Sequence, residues 1–250
     1  LATLGSERLR TLLMVVARNV TTDSPWPITN NPDAKYNDRA RDDCNLGLPL
    51  WQVVRSSSAA PSYFPPEVVD VGQRRFVFVD GGVTTYNNPA FLAFVTATAG
   101  PYNINWKTGE RDMLLVSIGT GDYAREQPDI TPAKMNLLYT AKNTPGALMN
   151  AASAGQDLLC RTFGKCLSGD AIDREVGDLI GAAGPVSPRL FTYMRYNPDV
   201  SRKGLDALGL PNVQAGHVQL LDSIKYIDEI RQVGQAVANL KVKPEHFAGF

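Results

Sequence analysis

The apolar positions of this chain fall into short dense blocks separated by polar stretches. Leu12 to Val16 (LLMVV) is an unbroken apolar run between polar neighbours, which predicts a strand buried on both faces, as in a parallel sheet. From Thr21 to Asn45, three prolines, several Asn and Asp, and charges of both signs predict a long surface excursion. Leu50 to Ser57 predicts a short helix. Phe76-Val77-Phe78-Val79 is aromatic and β-branched, the composition of a buried strand, and it stops at Asp80-Gly81-Gly82. Asn87-Asn88-Pro89-Ala90 then supplies a capping Asn and a Pro for the first turn of a helix running to Ala99, closed by Gly100-Pro101. Met113 to Ile118 (MLLVSI) is another buried run, broken by Gly119-Thr120-Gly121. Strand, helix, strand in that order predicts a β-α-β unit and hence a parallel sheet.

Beyond it, Pro145 to Phe163 predicts a helix and Leu190 to Tyr196 a strand. In the tail from His217 to Leu240, Leu220, Ile224, Ile227, Ile230, Val233 and Val237 recur at steps of three and four. That spacing predicts an amphipathic helix, with a break near Asp222-Ser223. No internal repeat or linker stands out, so the expected architecture is one α/β domain over residues 1–250, a mostly parallel central sheet flanked by helices (α/β/α).

Composition narrows the function. The 25 Lys and Arg balance 25 Asp and Glu, which removes the basic footprint of a nucleic-acid binder, so no nucleic-acid partner is expected. With 44% hydrophobic and 20% charged residues, the chain is globular in composition. Its apolar runs are far shorter than the ~20 residues that cross a bilayer. Cys44, Cys160 and Cys166 form no C-x-x-C pair, and Cys160 and Cys166 fall about 240° apart around a helix, so neither a disulfide framework nor a metal site is indicated. The first residue is Leu1, with no initiator Met and no signal-peptide pattern after it. Either processing has removed a segment or the sequence starts inside a longer one. A cytoplasmic location is the default expectation.

Ligands of open α/β sheets sit beyond the carboxyl ends of the strands, where Asp80 falls. An Asp-Gly after a strand is also an ordinary turn, with the Asp bonding its own backbone. The functional alternative is a carboxylate at the mouth of a site, held by Gly81 and Gly82 because a missing Cβ allows close backbone approach.

Four blocks carry a further signal: Arg55-Ser56-Ser57-Ser58-Ala59-Ala60-Pro61-Ser62-Tyr63-Phe64-Pro65-Pro66, Phe78-Val79-Asp80-Gly81-Gly82-Val83, Asn87-Asn88-Pro89-Ala90 and Ser117-Ile118-Gly119-Thr120-Gly121. In this order and spacing the chain resembles the patatin-like phospholipases, and Tyr193 to Pro198, Leu208-Gly209-Leu210 and Ile227 to Gly234 resemble that family's C-terminal part. The resemblance implies a serine acyl hydrolase acting on phospholipids or other fatty-acyl esters, with a Ser-Asp dyad, no histidine and no cofactor. Asp80 matches the family's catalytic aspartate, the base that takes the serine proton, in its Asp80-Gly81-Gly82 motif. A serine hydroxyl is a weak nucleophile until a neighbouring base accepts its proton, and a partly desolvated carboxylate can do so. A lipid substrate implies transient contact with a membrane surface. Tyr63, Phe64, Pro65 and Pro66 are candidates for an acyl-chain groove, with core packing the alternative for the two aromatics.

Two family elements are missing from these 250 residues: the glycine-rich oxyanion loop and the G-x-S-x-G nucleophile elbow. Ser153, in Ala151-Ala152-Ser153-Ala154-Gly155, comes nearest but lacks the first glycine and a strand leading in. Ser56, Ser57 and Ser58 are further candidates, although such a run more readily caps or ends a helix. Gly119-Thr120-Gly121 could cradle an anion or simply turn the chain. The two histidines, His217 and His246, lie in the C-terminal region away from any strand-end motif. The expectation is therefore an N-terminally incomplete domain holding the base alone, inactive by itself and less stable than the whole. The rival is a noncatalytic scaffold that keeps the fold.

Overall fold

Two sheets, one antiparallel and one parallel, organise the chain in a computed structural model that describes residues 2–123, 130–222 and 224–250. The chain divides into two compact units. The first takes Leu1–Lys107 with Pro145–Gln156, and the second takes Thr108–Thr144 with Asp157–Phe250.

In the first unit, β1 (Met14–Asn19), β2 (Ser24–Thr29), β3 (Glu67–Val71) and β4 (Arg74–Asp80) form an antiparallel sheet in the order β2-β1-β4-β3. The expected strand at 12–16 is β1, displaced two residues toward the C-terminus. β2 lies inside the stretch expected to be irregular. Pro25 and Pro27 cannot donate to a ladder, which is why the composition argued against a strand, and β2 indeed occupies an edge. β3 and β4 form a hairpin whose loop is Gly72-Gln73. Gly72 has φ +58°, a conformation that costs a glycine nothing.

The helix α1 (Leu50–Ser57) coincides with its expected range. The core gathers Ala17 and Phe78 with Val53 of α1, Leu48, Val69 and Phe76. Trp26 from β2 closes it, its ring 4.8 Å from Phe76 and 5.3 Å from Phe78. The next helix, α2 (Ala90–Thr98), starts where Asn88 and Pro89 predicted. The Asn88 side chain accepts from the N–H of Ala90 at 3.3 Å, and a turn of 3-10 helix at Gly100–Tyr102 closes the far end.

In the second unit, β5 (Leu114–Ile118), β6 (Lys165–Ser168) and β7 (Thr192–Tyr196) form a parallel sheet in the order β5-β7-β6. The α/β class with a parallel sheet flanked by helices therefore holds. The strand pairing differs from the expected β-α-β unit: β4 has antiparallel neighbours, and β5 pairs in parallel with β7. The hairpin at Gly72 gives β4 a local partner, a connection that the apolar runs alone do not reveal.

Helix α3 (Leu137–Phe163) begins eight residues before its expected start. Asn136 caps it by accepting from the N–H of Tyr139 at 2.9 Å, and Pro145 is taken inside. Its last turns anchor the second unit. The guanidinium of Arg161, 2% exposed, donates to both carboxylate oxygens of Asp157 at 3.0 and 2.7 Å and to the carbonyls of Asp170 and Asp178 at 2.8 Å each. The Tyr193 hydroxyl donates to Asp157 at 2.8 Å.

The tail is more broken than its periodicity suggested, with α4 (Arg202–Ala207), α5 (Ala215–Val218), a 3-10 turn at Ile224–Tyr226 and α6 (Ile227–Lys241). Val233 and Val237 of α6 pack with Met194, Tyr196 and Leu205. The expected break at 222–223 involves residue 223, outside the described residues, as is Leu1. Among the described residues, no helix is long and apolar enough to cross a membrane.

Candidate functional site

Asp80 closes β4, opposite Ala17 of β1, and its N–H donates to the carbonyl of Ala59 at 3.0 Å. The chain then turns through a 3-10 segment, Gly81–Val83, and the N–H of Gly82 donates back to Asp80 Oδ1 at 2.6 Å. The Asp80-Gly82 bond is the Asx-type turn that Asp-Gly sequences favour.

Sterics explain the glycines. A Cβ on Gly81 would stand 2.2 Å from the carbonyl oxygen of Val16, and one on Gly82 would stand 3.1 Å from Asp80 Oδ1, Asn87 Oδ1 and Met149 Cε. The turn is braced on its far side as well. The Thr84 hydroxyl donates to the carbonyl of Gly81 at 2.6 Å, and the Asn87 amide to the carbonyl of Met149 at 3.2 Å.

Burial pushes the Asp80 carboxyl above the ordinary aspartate range, and the Gly82 N–H, which favours the charged form, offsets part of that rise. Among the described residues, no Lys, Arg or His forms an ion pair with it. A half-buried carboxylate with one oxygen fixed by the backbone and its pKa raised by burial is a stronger proton acceptor than an exposed aspartate.

The serine run beside this turn is occupied by backbone. Ser56, Ser57 and Ser58 donate to the carbonyls of Gln52, Val16 and Val54 at 2.8, 2.6 and 3.0 Å. Ser57 and Gly81 thus meet at the same Val16 oxygen, which brings Ser57 next to the aspartate turn with its proton committed elsewhere. Ser153 lies within α3. Tyr63 and Phe64 are 52% and 48% exposed, so neither packs in the core. The guanidinium of Arg55 lies 5.6 Å from the Phe64 ring and bonds the carbonyl of Pro65.

Other candidates have structural partners inside the second unit. The N–H of Gly121 donates to Asn197 Oδ1 at 3.0 Å, which engages the Gly119-Thr120-Gly121 turn at the end of β5. His217 Nδ1 lies 2.9 Å from Glu229 Oε1, with its ring stacked on Tyr226, and His246 Nδ1 lies 2.6 Å from the Tyr196 hydroxyl. All three cysteines are free thiols. Cys160 and Cys166 are buried, and desolvation pushes Cys160 up to about 12. Among the described residues, no three His, Cys, Asp or Glu side chains gather as a metal site.

Sequence reasoning singled out Asp80 and its glycines but missed the contribution of residues distant in the chain. Val16 and Ala59 meet the turn through their backbone carbonyls, for which side-chain identity leaves no signal, and Met149 through its carbonyl and its side-chain Cε.

Residues 4–94 match the family model described as Patatin-like phospholipase. Patatin group D-3 of Solanum tuberosum is 29% identical over 158 residues, covering 56% of this chain and 36% of that protein. Patatin-2-Kuras 4 of Solanum tuberosum is 32% identical over 126 residues (46% and 31%), and Patatin-17 of Solanum cardiophyllum 30% over 128 residues (46% and 30%). The chain spans about a third of the length of the curated relatives it matches. Through that match and these relatives the chain resembles the patatin-like phospholipases over residues 4–94, the stretch that contains Asp80, Gly81 and Gly82.

Proposed function

We propose that this chain is the base-bearing part of a lipid acyl hydrolase in which Asp80 takes the proton from a serine supplied by sequence outside residues 1–250. The observation that carries this reading is the Asp80 turn: a half-buried carboxylate without a cationic partner among the described residues, one oxygen held by the Gly82 N–H, inside the family match. Residues 1–250 then form part of one acyl hydrolase domain.

The chemistry follows from the dyad. Asp80 removes the hydroxyl proton as the serine oxygen attacks the ester carbonyl and returns it to the leaving alcohol; it then takes a proton from the water that attacks the acyl-enzyme and hands it back to the serine oxygen as the acid is released. Fatty-acyl esters such as phospholipids are the substrate class, reached by transient contact with a lipid surface. Base catalysis of this kind contributes roughly 10²–10⁴-fold. The 250 residues alone should turn over little ester, since hydrogen-bond donors aimed at the oxyanion usually supply more of the rate acceleration than the base does, and the glycine-rich loop is not among them.

A fluorophosphonate probe and an ester assay test the reading on the protein extended to include a G-x-S-x-G segment. The probe should label that serine, and Asp80→Asn should remove ester turnover while the circular dichroism spectrum stays unchanged. Full turnover in Asp80→Asn refutes Asp80 as the base. Labelling of residues 1–250 at Ser57 would move the nucleophile into this chain, and no labelling of any form would favour the noncatalytic scaffold.

A further inference from the structure

The first unit contains a cavity of about 560 Å³ along β2, within the size range of small-ligand sites, and none of the residues that hold Asp80 lines it. Its walls include Trp26, Phe76, Tyr36 and Tyr102. The Trp26 and Phe76 rings, 4.8 Å apart, make one continuous apolar side. An added strand is a poor occupant despite the open edge, because Pro25 and Pro27 remove N–H donors from β2.

Three charged residues, Lys35, Asp43 and Arg74, are among the lining residues of the cavity and decide what fits. Lys35 Nζ and the Arg41 guanidinium lie 5.4 and 5.6 Å from the centroid of the same Tyr36 ring, and the Arg74 guanidinium lies 4.8 Å from that of Phe76. Asp43 is already held by Arg41 at 2.6 and 2.8 Å, and that bond keeps its carboxyl below the ordinary range, with Arg74 adding a smaller pull. Lys35 and Arg74 enter no ion pair among the described residues. Aromatic walls together with two lining cations that enter no ion pair among the described residues recognise an apolar body with an anionic head.

We propose that this cavity binds a single-chain anionic amphiphile of the fatty-acid class, its chain against Trp26, Phe76 and Tyr102 and its carboxylate drawn to the lining cations Lys35 and Arg74. The inference does not depend on the acyl hydrolase reading, since no residue of that dyad takes part.

Calorimetric titration of the 250-residue chain with laurate below its micelle concentration tests it. Dodecyl maltoside serves as the same tail with a neutral head, and acetate as the head without a tail. Laurate should bind saturably and change the fluorescence of Trp26, a signal lost in Trp26→Phe. Arg74→Gln and Lys35→Gln should each weaken laurate about fivefold and leave dodecyl maltoside unchanged, while Asp80→Asn should bind laurate as the parent does. Equal affinity for laurate and dodecyl maltoside, or laurate affinity indifferent to both cation variants, overturns the proposal. Loss of laurate binding in Asp80→Asn alone would place the ligand at the aspartate turn and would also overturn it, while leaving the acyl hydrolase reading intact.

Discussion

Replacing Gly81 with alanine perturbs the aspartate turn with one methyl group. The added Cβ would stand 2.2 Å from the Val16 oxygen and 2.8 Å from its carbonyl carbon, against an ordinary contact of 3.4 Å or more, so the end of β4 must move away from β1 by over 1 Å. Overpacking of this kind costs roughly 1–3 kcal/mol. Displacing Val16 also disturbs the Ser57 hydrogen bond to the same oxygen, another ~0.5–1.5 kcal/mol. The expected loss is therefore about 3 kcal/mol, a fall of roughly 6–12 °C in Tm for a chain of this size. Urea denaturation followed by circular dichroism measures it, with Gly47→Ala as the control, because nothing lies within 4 Å of a Cβ there. Ser57→Ala should be non-additive with Gly81→Ala, since both act through one carbonyl. If Gly81→Ala stays within about 0.5 kcal/mol of the parent, the range of ordinary surface substitutions, the close approach of β1 to the turn is not what holds Asp80.

Asp80 has its folded-state pKa raised by burial, so its contribution favours folding below pH 3.8 and is lost as pH rises through the folded value. Asp80→Asn should accordingly be more stable than the parent near neutrality, and a pH series of denaturation midpoints should show that advantage vanishing in acid. In the extended enzyme, kcat/KM should climb with pH through the same elevated pKa, as a base that must be ionised requires. Arg161→Met takes the cationic partner from the partly buried Asp157 carboxylate and should cost up to about 3 kcal/mol, whereas Tyr193→Phe removes one bond to that charge and should cost about 1.5–3 kcal/mol, both read from urea midpoints. Thiol titration of the native chain should count one fast thiol, Cys44, and three in denaturant, because Cys160 and Cys166 are buried with raised pKa values; three fast thiols in the native chain would contradict that burial.

Elements with dense apolar or well-punctuated sequence were legible: α1, α2, β4, β5 and β7 fall within a few residues of where LWQVVRSS, NNPA, FVFV, MLLVSI and LFTYMRY place them. What escaped was set by position in the sheets. β2 reads as a loop because its two prolines are tolerable only on an edge, and an edge is a property of the assembled sheet. The Gly72-Gln73 loop between Val71 and Arg74 was a readable hairpin signal, and reading it would have paired β4 with β3 in antiparallel fashion. At the site, Asp80 and its glycines were visible in one short motif, whereas the Val16 carbonyl that makes Gly81 obligatory lies 65 residues upstream and carries no side-chain signature.

Because the first unit draws on Pro145–Gln156 as well as Leu1–Lys107, its last piece emerges late during synthesis. Met149, which meets Gly82 and receives the Asn87 amide bond, follows Asn87 by 62 residues. At ~5–20 residues per second of translation, the loop after Asp80 waits about 3–12 s for that contact. For this interval the aspartate turn has its local hydrogen bonds but lacks the Met149 side, so its surroundings are complete only after residue 149 has been made.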